Sequence, residues 1–322
     1  MTLDQLQYAL QLQRTKSFSK AAEACFITQP SLSIQIAKLE DELGVMLFNR
    51  TRAGVVATEY GEELLRQARR IMDEAARLPQ LARELKGEVR GHFRLGVIPT
   101  LAPSLLPLFL REFGERYPGV QLSVVEERTE RLVQEIDEGT LDGAILSTPS
   151  KCPASLMEKV LFYEPFVVFA SQSHEILKSR TISVSQISSE EILLLDETHC
   201  LRDQVLQLCK LKQKSGESRL RIQSASLQTL IEFIRHDRAY TLLPQLSASL
   251  LSSTEQLKFV RPLEKPVPSR KVSLVFHQSR LKRSIIDALK DSIMNSLPKS
   301  VFPTTSGHEL RVLSPSLEHF EI

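Results

Sequence analysis

The chain is poor in cysteine, with four in 322 residues. That is not a disulfide framework, and the length leaves enough mass for a real core. No apolar run approaches the roughly 18 residues of a membrane span, and the stretch from Met1 to Leu12 lacks a signal-peptide layout. A cytoplasmic protein with no membrane partner is expected, where thiols rest reduced and a disulfide is transient or sensory. Charge of one sign is also missing. With 41 Lys and Arg against 39 Asp and Glu, the formal net charge of +2 speaks neither for nor against a nucleic-acid partner. The rest is ordinary for a globular protein: 42% of residues are hydrophobic, 25% are charged, and the length suits two or three domains.

Residues 1–57 read as short helices followed by a hairpin. Thr2 can cap a helix carrying Leu3, Leu6 and Leu10, and Ser19 a second, alanine-rich one (Ala21, Ala22, Ala24). A turn through Cys25, Phe26 and Ile27 leads to Thr28, a cap for a third helix with Pro30 in its first turn. Leu32, Ile36, Leu39 and Leu43 form one stripe of that helix; Pro30, Ser33, Ile34, Ala37 and Lys38 face away. The hairpin from Phe48 to Val55 carries Arg50 and Arg52. This is a winged helix-turn-helix pattern. Gln29, Ser33 and Lys38 could reach base edges or phosphates of double-stranded DNA. Ile34 could meet a thymine methyl, and the wing arginines the backbone or minor groove. Any amphipathic helix exposes polar residues, and residues 1–60 carry as many acids as bases, so affinity must come from placement and dimer avidity.

Residues 58–87 read as a linker helix. Leu64, Ala68, Ile71, Ala75, Leu78, Ala82 and Leu85 alternate in steps of four and three, a seam that suits dimerisation, though it could dock on its own core. Pro79 should kink or end the helix.

Residues 88–299 alternate strand and helix, which predicts an α/β domain with mostly parallel strands. Strands are expected at Phe93–Ile98, Val120–Val125, Leu141–Leu146, Val160–Ala170, Ile192–Leu195, Leu220–Gln223, Tyr240–Leu243 and Val272–Phe276. Helices are expected at Ser104–Tyr117, Thr129–Glu138, Leu227–His236 and Leu281–Leu297. In such sheets ligands lie beyond the carboxyl ends of strands, which places Thr100 and Thr129 at one cleft, unless both are simply caps. Residues 300–322, rich in Ser and Pro, read as a disordered tail.

The most informative segment runs from Asp196 to Cys209. Thr198 can serve as a cap, and Leu201, Val205 and Leu208 recur at helical spacing. Cys200 would sit at the positive end of that helix beside Arg202, both favouring the thiolate that attacks peroxide. Cys209 is nine positions on, about 13.5 Å along a helix, beyond the about 4.4–6.8 Å Cα separation of a disulfide. Such a pair closes only if the segment refolds. An inert buried cysteine is the bland alternative, and His199 could orient the site or merely bond a loop carbonyl. Two thiols and one histidine fall short of a metal site, and no cofactor is implied. Cys25 and Cys152 read as bystanders.

The N-terminal run Phe18-Ser19-Lys20-Ala21-Ala22-Glu23, with Gln29-Pro30-Ser31-Leu32-Ser33, Lys38-Leu39-Glu40-Asp41-Glu42-Leu43-Gly44 and Leu47-Phe48-Asn49-Arg50, resembles the LysR-type transcriptional regulators. Gly96-Val97-Ile98-Pro99-Thr100, His199-Cys200-Leu201-Arg202-Asp203-Gln204 with Cys209, and Thr241-Leu242-Leu243-Pro244 resemble that family's hydrogen-peroxide-sensing branch. The likeness covers about residues 1–297. It implies a winged helix-turn-helix, a linker helix and a two-lobed regulatory domain like a periplasmic binding protein. It also implies a homodimer or tetramer that activates transcription with RNA polymerase and is not an enzyme. Carried over by resemblance, Cys200 is the peroxidatic and Cys209 the resolving thiol, with Thr100, Thr129, His199, Asp203 and Arg270 around the peroxide. The sequence departs from that branch at His236-Asp237-Arg238-Ala239-Tyr240, where a glycine turn is expected, and at Ile34, where a smaller residue is expected. Other readings are a metabolite-sensing regulator with incidental cysteines, or a thiol peroxidase or solute-binding module with an accessory domain.

Overall fold

The computed structural model describes residues 1–51, 54–84, 88–147, 152–188, 191–196, 200–209, 226–279, 282–302 and 310–313. The chain folds as two compact units, Met1–Lys86 and Gly87–Ile322. Among the described residues, no helix is long and apolar enough to cross a membrane.

The first unit opens with α1 (Leu3–Thr15), capped by Thr2, whose side chain and that of Gln5 satisfy each other's backbone N–H groups. Lys16 closes it in the left-handed conformation. The next helix, α2 (Phe18–Ala24), is capped by Ser17, which accepts from the Lys20 N–H; the expected cap, Ser19, lies inside it. The cause is the left-handed Lys16, which ends α1 abruptly and leaves the following Ser17 extended, as a cap must be. Thr28 caps α3 (Gln29–Leu43), with Pro30 in its first turn and Gly44 ending it at φ 67°. The strands β1 (Phe48–Thr51) and β2 (Gly54–Ala57) pair antiparallel as the wing.

Leu6, Ala9, Leu12, Ala21, Ala22, Leu32, Ile36 and Leu39 bury together as this unit's core. The long α4 (Glu59–Glu84) adds Leu65 and Ala68 to it, with Leu64, Ile71 and Met72 packed alongside. The first turns of the seam therefore dock on their own chain, and Leu78 further along is 71% exposed. Pro79 does not end the helix, which runs on to Glu84.

The second unit begins with β3 (Gly91–Val97), α5 (Ala102–Arg116), β4 (Val120–Glu126), α6 (Thr129–Glu138) and β5 (Gly143–Ser147). The long β6 (Leu156–Ala170) follows, then α7 (Cys200–Cys209), α8 (Leu227–His236), β7 (Tyr240–Pro244), α9 (Gln245–Ala248), α10 (Ser253–Phe259) and β8 (Val260–Pro262). It ends with β9 (Val267–His277), α11 (Arg283–Ser296) and β10 (Leu310–Leu313). The sheet order is β4-β3-β5-β9-β6-β7, with β10 on β9 and β8 on β6.

The sheet is mixed rather than mostly parallel. β3 runs parallel to β4 and β5, and β10 to β9; β9 pairs antiparallel with β5 and β6, and β6 antiparallel with β7 and β8. The long strands are the reason. β6 pairs with β9 over Leu156–Pro165 and continues into a second sheet with β7 over Phe166–Ala170, so each half supports its own core. One core gathers Phe93, Phe109, Ile145, Phe162 and Leu289; the other gathers Phe169, Ile182, Leu201, Leu230 and Leu243. This is the two-lobed α/β architecture.

Two expectations differ here, and a third falls outside the described residues. Ile192–Leu195 is not a strand but makes one bridge, Ile192 to Tyr240. Leu220–Gln223 lies outside the described residues. The tail is not uniformly loose: Val301 is buried in the first core, Phe302 bridges to Tyr163, and Leu310–Leu313 adds a parallel strand to β9. Residues after Pro298 still carry enough apolar side chains to dock at these points.

Candidate functional site

Cys200 is the first residue of α7 and is buried. The helix lies between the two cores: Cys200 joins the first, while Leu201, Val205 and Leu208 bury in the second. One helix spans Cys200 to Cys209, so helical rise sets the two residues about 13.5 Å apart. The side chain of Cys209, and Thr198 and His199, lie outside the described residues.

Burial pushes the Cys200 thiol up from its ordinary value; the Arg270 guanidinium and a hydrogen bond from Thr129 pull it back, and Glu130 and Asp203 push it further up. The net direction is upward, opposite to the shift that the helix end and Arg202 predict. Of the two cations expected near the sulfur, Arg270, named by the resemblance, acts on it, and Arg202 does not. Arg202 donates to the Leu195 carbonyl at 3.0 Å, because residues two apart on a helix do not share a face.

Arg270, mid-β9 and fully buried, is fixed from two sides. Its Nη1 donates to Thr100 Oγ1 at 2.8 Å and its Nη2 to the Thr100 carbonyl at 3.2 Å. Its Nε donates to Glu164 Oε2 at 2.8 Å, and Nη2 lies 2.7 Å from the same oxygen. Neither threonine is a cap: Leu101 and Arg128 occupy those positions of α5 and α6. Thr100 follows β3 and Thr129 opens α6, so the carboxyl ends of β3 and β4 deliver both hydroxyls. Thr129 Oγ1 is buried and makes no hydrogen bond of ordinary geometry among the described residues, and its hydroxyl acts on the neighbouring Cys200 thiol.

The structure thus groups Cys200, Thr129, Asp203 and Arg270, and joins Thr100 to them through Arg270. Two members went unassigned from sequence. Glu164 is a lone acid within the apolar run Val160–Ala170, which was the available signal. Gln204, fully buried, donates to Ser147 Oγ and to the Leu313 carbonyl, both at 2.9 Å. Among the described residues, no cluster of His, Cys, Asp and Glu could hold a metal ion. Cys152 is exposed and Cys25 half-buried.

In the first unit, Gln29, Pro30 and Lys38 are exposed on α3, Ser33 is half-buried and Ile34 is 55% exposed. Gln29 Oε1 accepts from Ser19 Oγ at 3.1 Å, which orients it at the start of the helix. Arg50 belongs to β1; its side chain, and Arg52, lie outside the described residues.

A domain described as "Bacterial regulatory helix-turn-helix protein, lysR family" matches residues 3–62, and "LysR substrate binding domain" matches residues 86–298. The chain belongs to the LysR family of transcriptional regulators. A hydrogen peroxide-inducible genes activator from Dickeya chrysanthemi is 33% identical over 293 residues, covering 91% of this chain and 95% of the relative. Full-length OxyR from Pseudomonas aeruginosa, carrying a substitution, superposes with a TM-score of 0.74 at 31% identity, covering 91% of this chain and 98% of that one. A hydrogen-peroxide-bound OxyR mutant from Corynebacterium glutamicum gives 0.59 at 28% identity, covering 92% and 94%.

Proposed function

We propose that this regulator senses hydrogen peroxide through Cys200 and converts its oxidation into altered transcription. The observation that carries the reading is a buried thiol at the head of α7, facing a fixed guanidinium and a hydroxyl donor, with a second cysteine at the far end of the same helix. The relatives named for peroxide response support it.

In this reading Cys200, as thiolate, attacks one peroxide oxygen. The O–O bond breaks, two electrons pass from sulfur to oxygen, and the departing hydroxide is protonated to water, leaving a sulfenic acid. Arg270 and Thr129 stabilise the negative charge on sulfur, and Thr100 and Asp203 border the peroxide. His199 belongs to the same group by resemblance. The Cys209 sulfur then attacks the sulfenic sulfur, the S–O bond breaks and water leaves, closing a disulfide. Helical geometry forbids that bond, so α7 must unwind, and the disulfide selects a different packing.

DNA binding falls to Gln29, Pro30, Ser33, Ile34 and Lys38 of α3, with Arg50 and Arg52 of the wing. Residues 58–87 pair copies into a homodimer, and dimers into a tetramer, in the cytoplasm, with RNA polymerase as the further partner. Peptide mass mapping before and after mild peroxide tests the reading: a Cys200–Cys209 cross-link is expected. Promoter footprints should change with oxidation in the parent and not in Cys200→Ser. A Ser variant that still responds fully to peroxide overturns it.

A further inference from the structure

We propose that Glu164 is a positioning residue for the chemistry at Cys200, holding the Arg270 guanidinium against Thr100 and balancing its charge. The inference rests on the peroxide reading above and adds to it a residue that touches neither sulfur nor oxidant.

Glu164 and Arg270 are direct cross-strand partners, on β6 and β9. Both side chains are wholly withdrawn from solvent. An arginine side chain is long and flexible, and a lone guanidinium could take several positions beside the sulfur. Here the carboxylate removes that freedom. Its Oε2 takes both Nε and Nη2 of Arg270, and its Oε1 accepts from the Leu246 N–H at 2.7 Å, so the acid is itself anchored to the start of α9. With one edge of the guanidinium held by Glu164, Nη1 is left pointing at Thr100 Oγ1. A single acid therefore sets the place of the cation and, through it, of a hydroxyl at the end of β3.

The pair also has a charge consequence. An uncompensated guanidinium would act on the sulfur with its full field, whereas a paired one acts as a dipole. Among the described residues, the other charged groups facing Cys200 are Glu130 from α6 and Asp203 from its own helix, both opposing ionisation. Glu164 adds a third negative charge, applied to the cation rather than to the thiol.

The test is the pH profile of peroxide consumption by Cys200 in the full-length reduced protein, parent against Glu164→Gln and Glu164→Asp. Glu164→Gln removes the counter-charge at constant shape, and the midpoint should move about one pH unit toward acid, the scale of a nearby opposite charge. Glu164→Asp keeps the charge and withdraws it by one methylene. The midpoint should stay while the rate falls about tenfold, since about an ångström of misplacement costs up to about 100-fold. Both variants folding with the parent's rate and midpoint overturns the proposal, as does a slower Glu164→Gln whose midpoint is unmoved. If Glu164→Gln fails to fold by circular dichroism, Glu164→Asp decides alone: an unchanged rate overturns, a slower rate at constant midpoint supports. The ultraviolet thiolate titration of Cys200, taken as the difference from Cys200→Ser, runs beside it. A parent that consumes no peroxide, yet whose thiolate titration moves in Glu164→Gln, refutes the peroxide reading and leaves the role of Glu164 standing.

Discussion

The side-chain amide of Gln204, midway along α7, donates to the carbonyl of Leu313, 109 residues further along the chain, at 2.9 Å. The same amide donates to Ser147 at the end of β5. The helix that begins with Cys200 is thus tied to β10. Leu313 is in turn the β-partner of Arg270. Replacing Gln204 with Leu should cost about 1–3 kcal/mol in urea unfolding, because buried acceptors lose their donor. Hydrogen exchange at residues 310–313 should rise in the same variant; unchanged protection there would mean the strand is held by its sheet pairing alone.

Two nearby serines separate a cap from a bystander. Ser17→Ala should lower the stability of the first unit by about 1 kcal/mol, the usual worth of an N-cap. Ser19→Ala should cost clearly less in thermal melting, because that hydroxyl bonds Gln29 on an exposed face.

The buried pair should be more sensitive to losing one member than both. Arg270→Met leaves Glu164 charged and unpaired in the interior, an expected loss of about 3–5 kcal/mol. The double variant with Glu164→Met should recover most of that in equilibrium unfolding. A double variant as unstable as Arg270→Met alone would place the cost in packing instead.

The raised titration of Cys200 makes stability depend on pH in one direction. Burial penalises the thiolate in the folded state, so the unfolded chain gives up its proton first as pH rises. The stabilising difference is fully present below the ordinary thiol range, about 8.5, and is lost as pH climbs through the folded value. Unfolding free energies of the parent and Cys200→Ser, measured across that range, should diverge only at the alkaline end.

Along α4, Leu65→Ala should destabilise the first unit by about 2–5 kcal/mol, since Leu65 is 1% exposed. Leu78→Ala should leave melting nearly unchanged and weaken self-association in sedimentation. If Leu65→Ala alone altered association, the pairing surface would lie at the start of the helix.

Much of the fold was legible where one face of an element decides its burial. The amphipathic period marked α6 and α8 to the residue, and the stripe of Leu32, Ile36 and Leu39 marked the buried side of α3. Strand direction was not, because it depends on which strand lies alongside: β9, late in the chain, inserts between β5 and β6 and reverses the sense of the sheet. The thiol's neighbours show the same division. Arg202, two residues along, turns away by helical geometry, while Arg270, named only through the family resemblance, arrives from a distant strand through side-chain direction that no local pattern encodes. Glu164 was visible only as an oddity, one acid in an apolar strand.

Gly96 leaves room that neighbouring side chains fill: a Cβ there would lie 2.3 Å from Cδ2 of Leu132 of α6, which would have to shift. Leu132 is one turn beyond Thr129 on that helix. The gap between strand and helix is therefore gauged by a hydrogen atom, and the hydroxyl that faces the sulfur inherits its aim from an omission. A methyl group at that point would act as a shim, tilting the donor away from its target without touching either reactive atom.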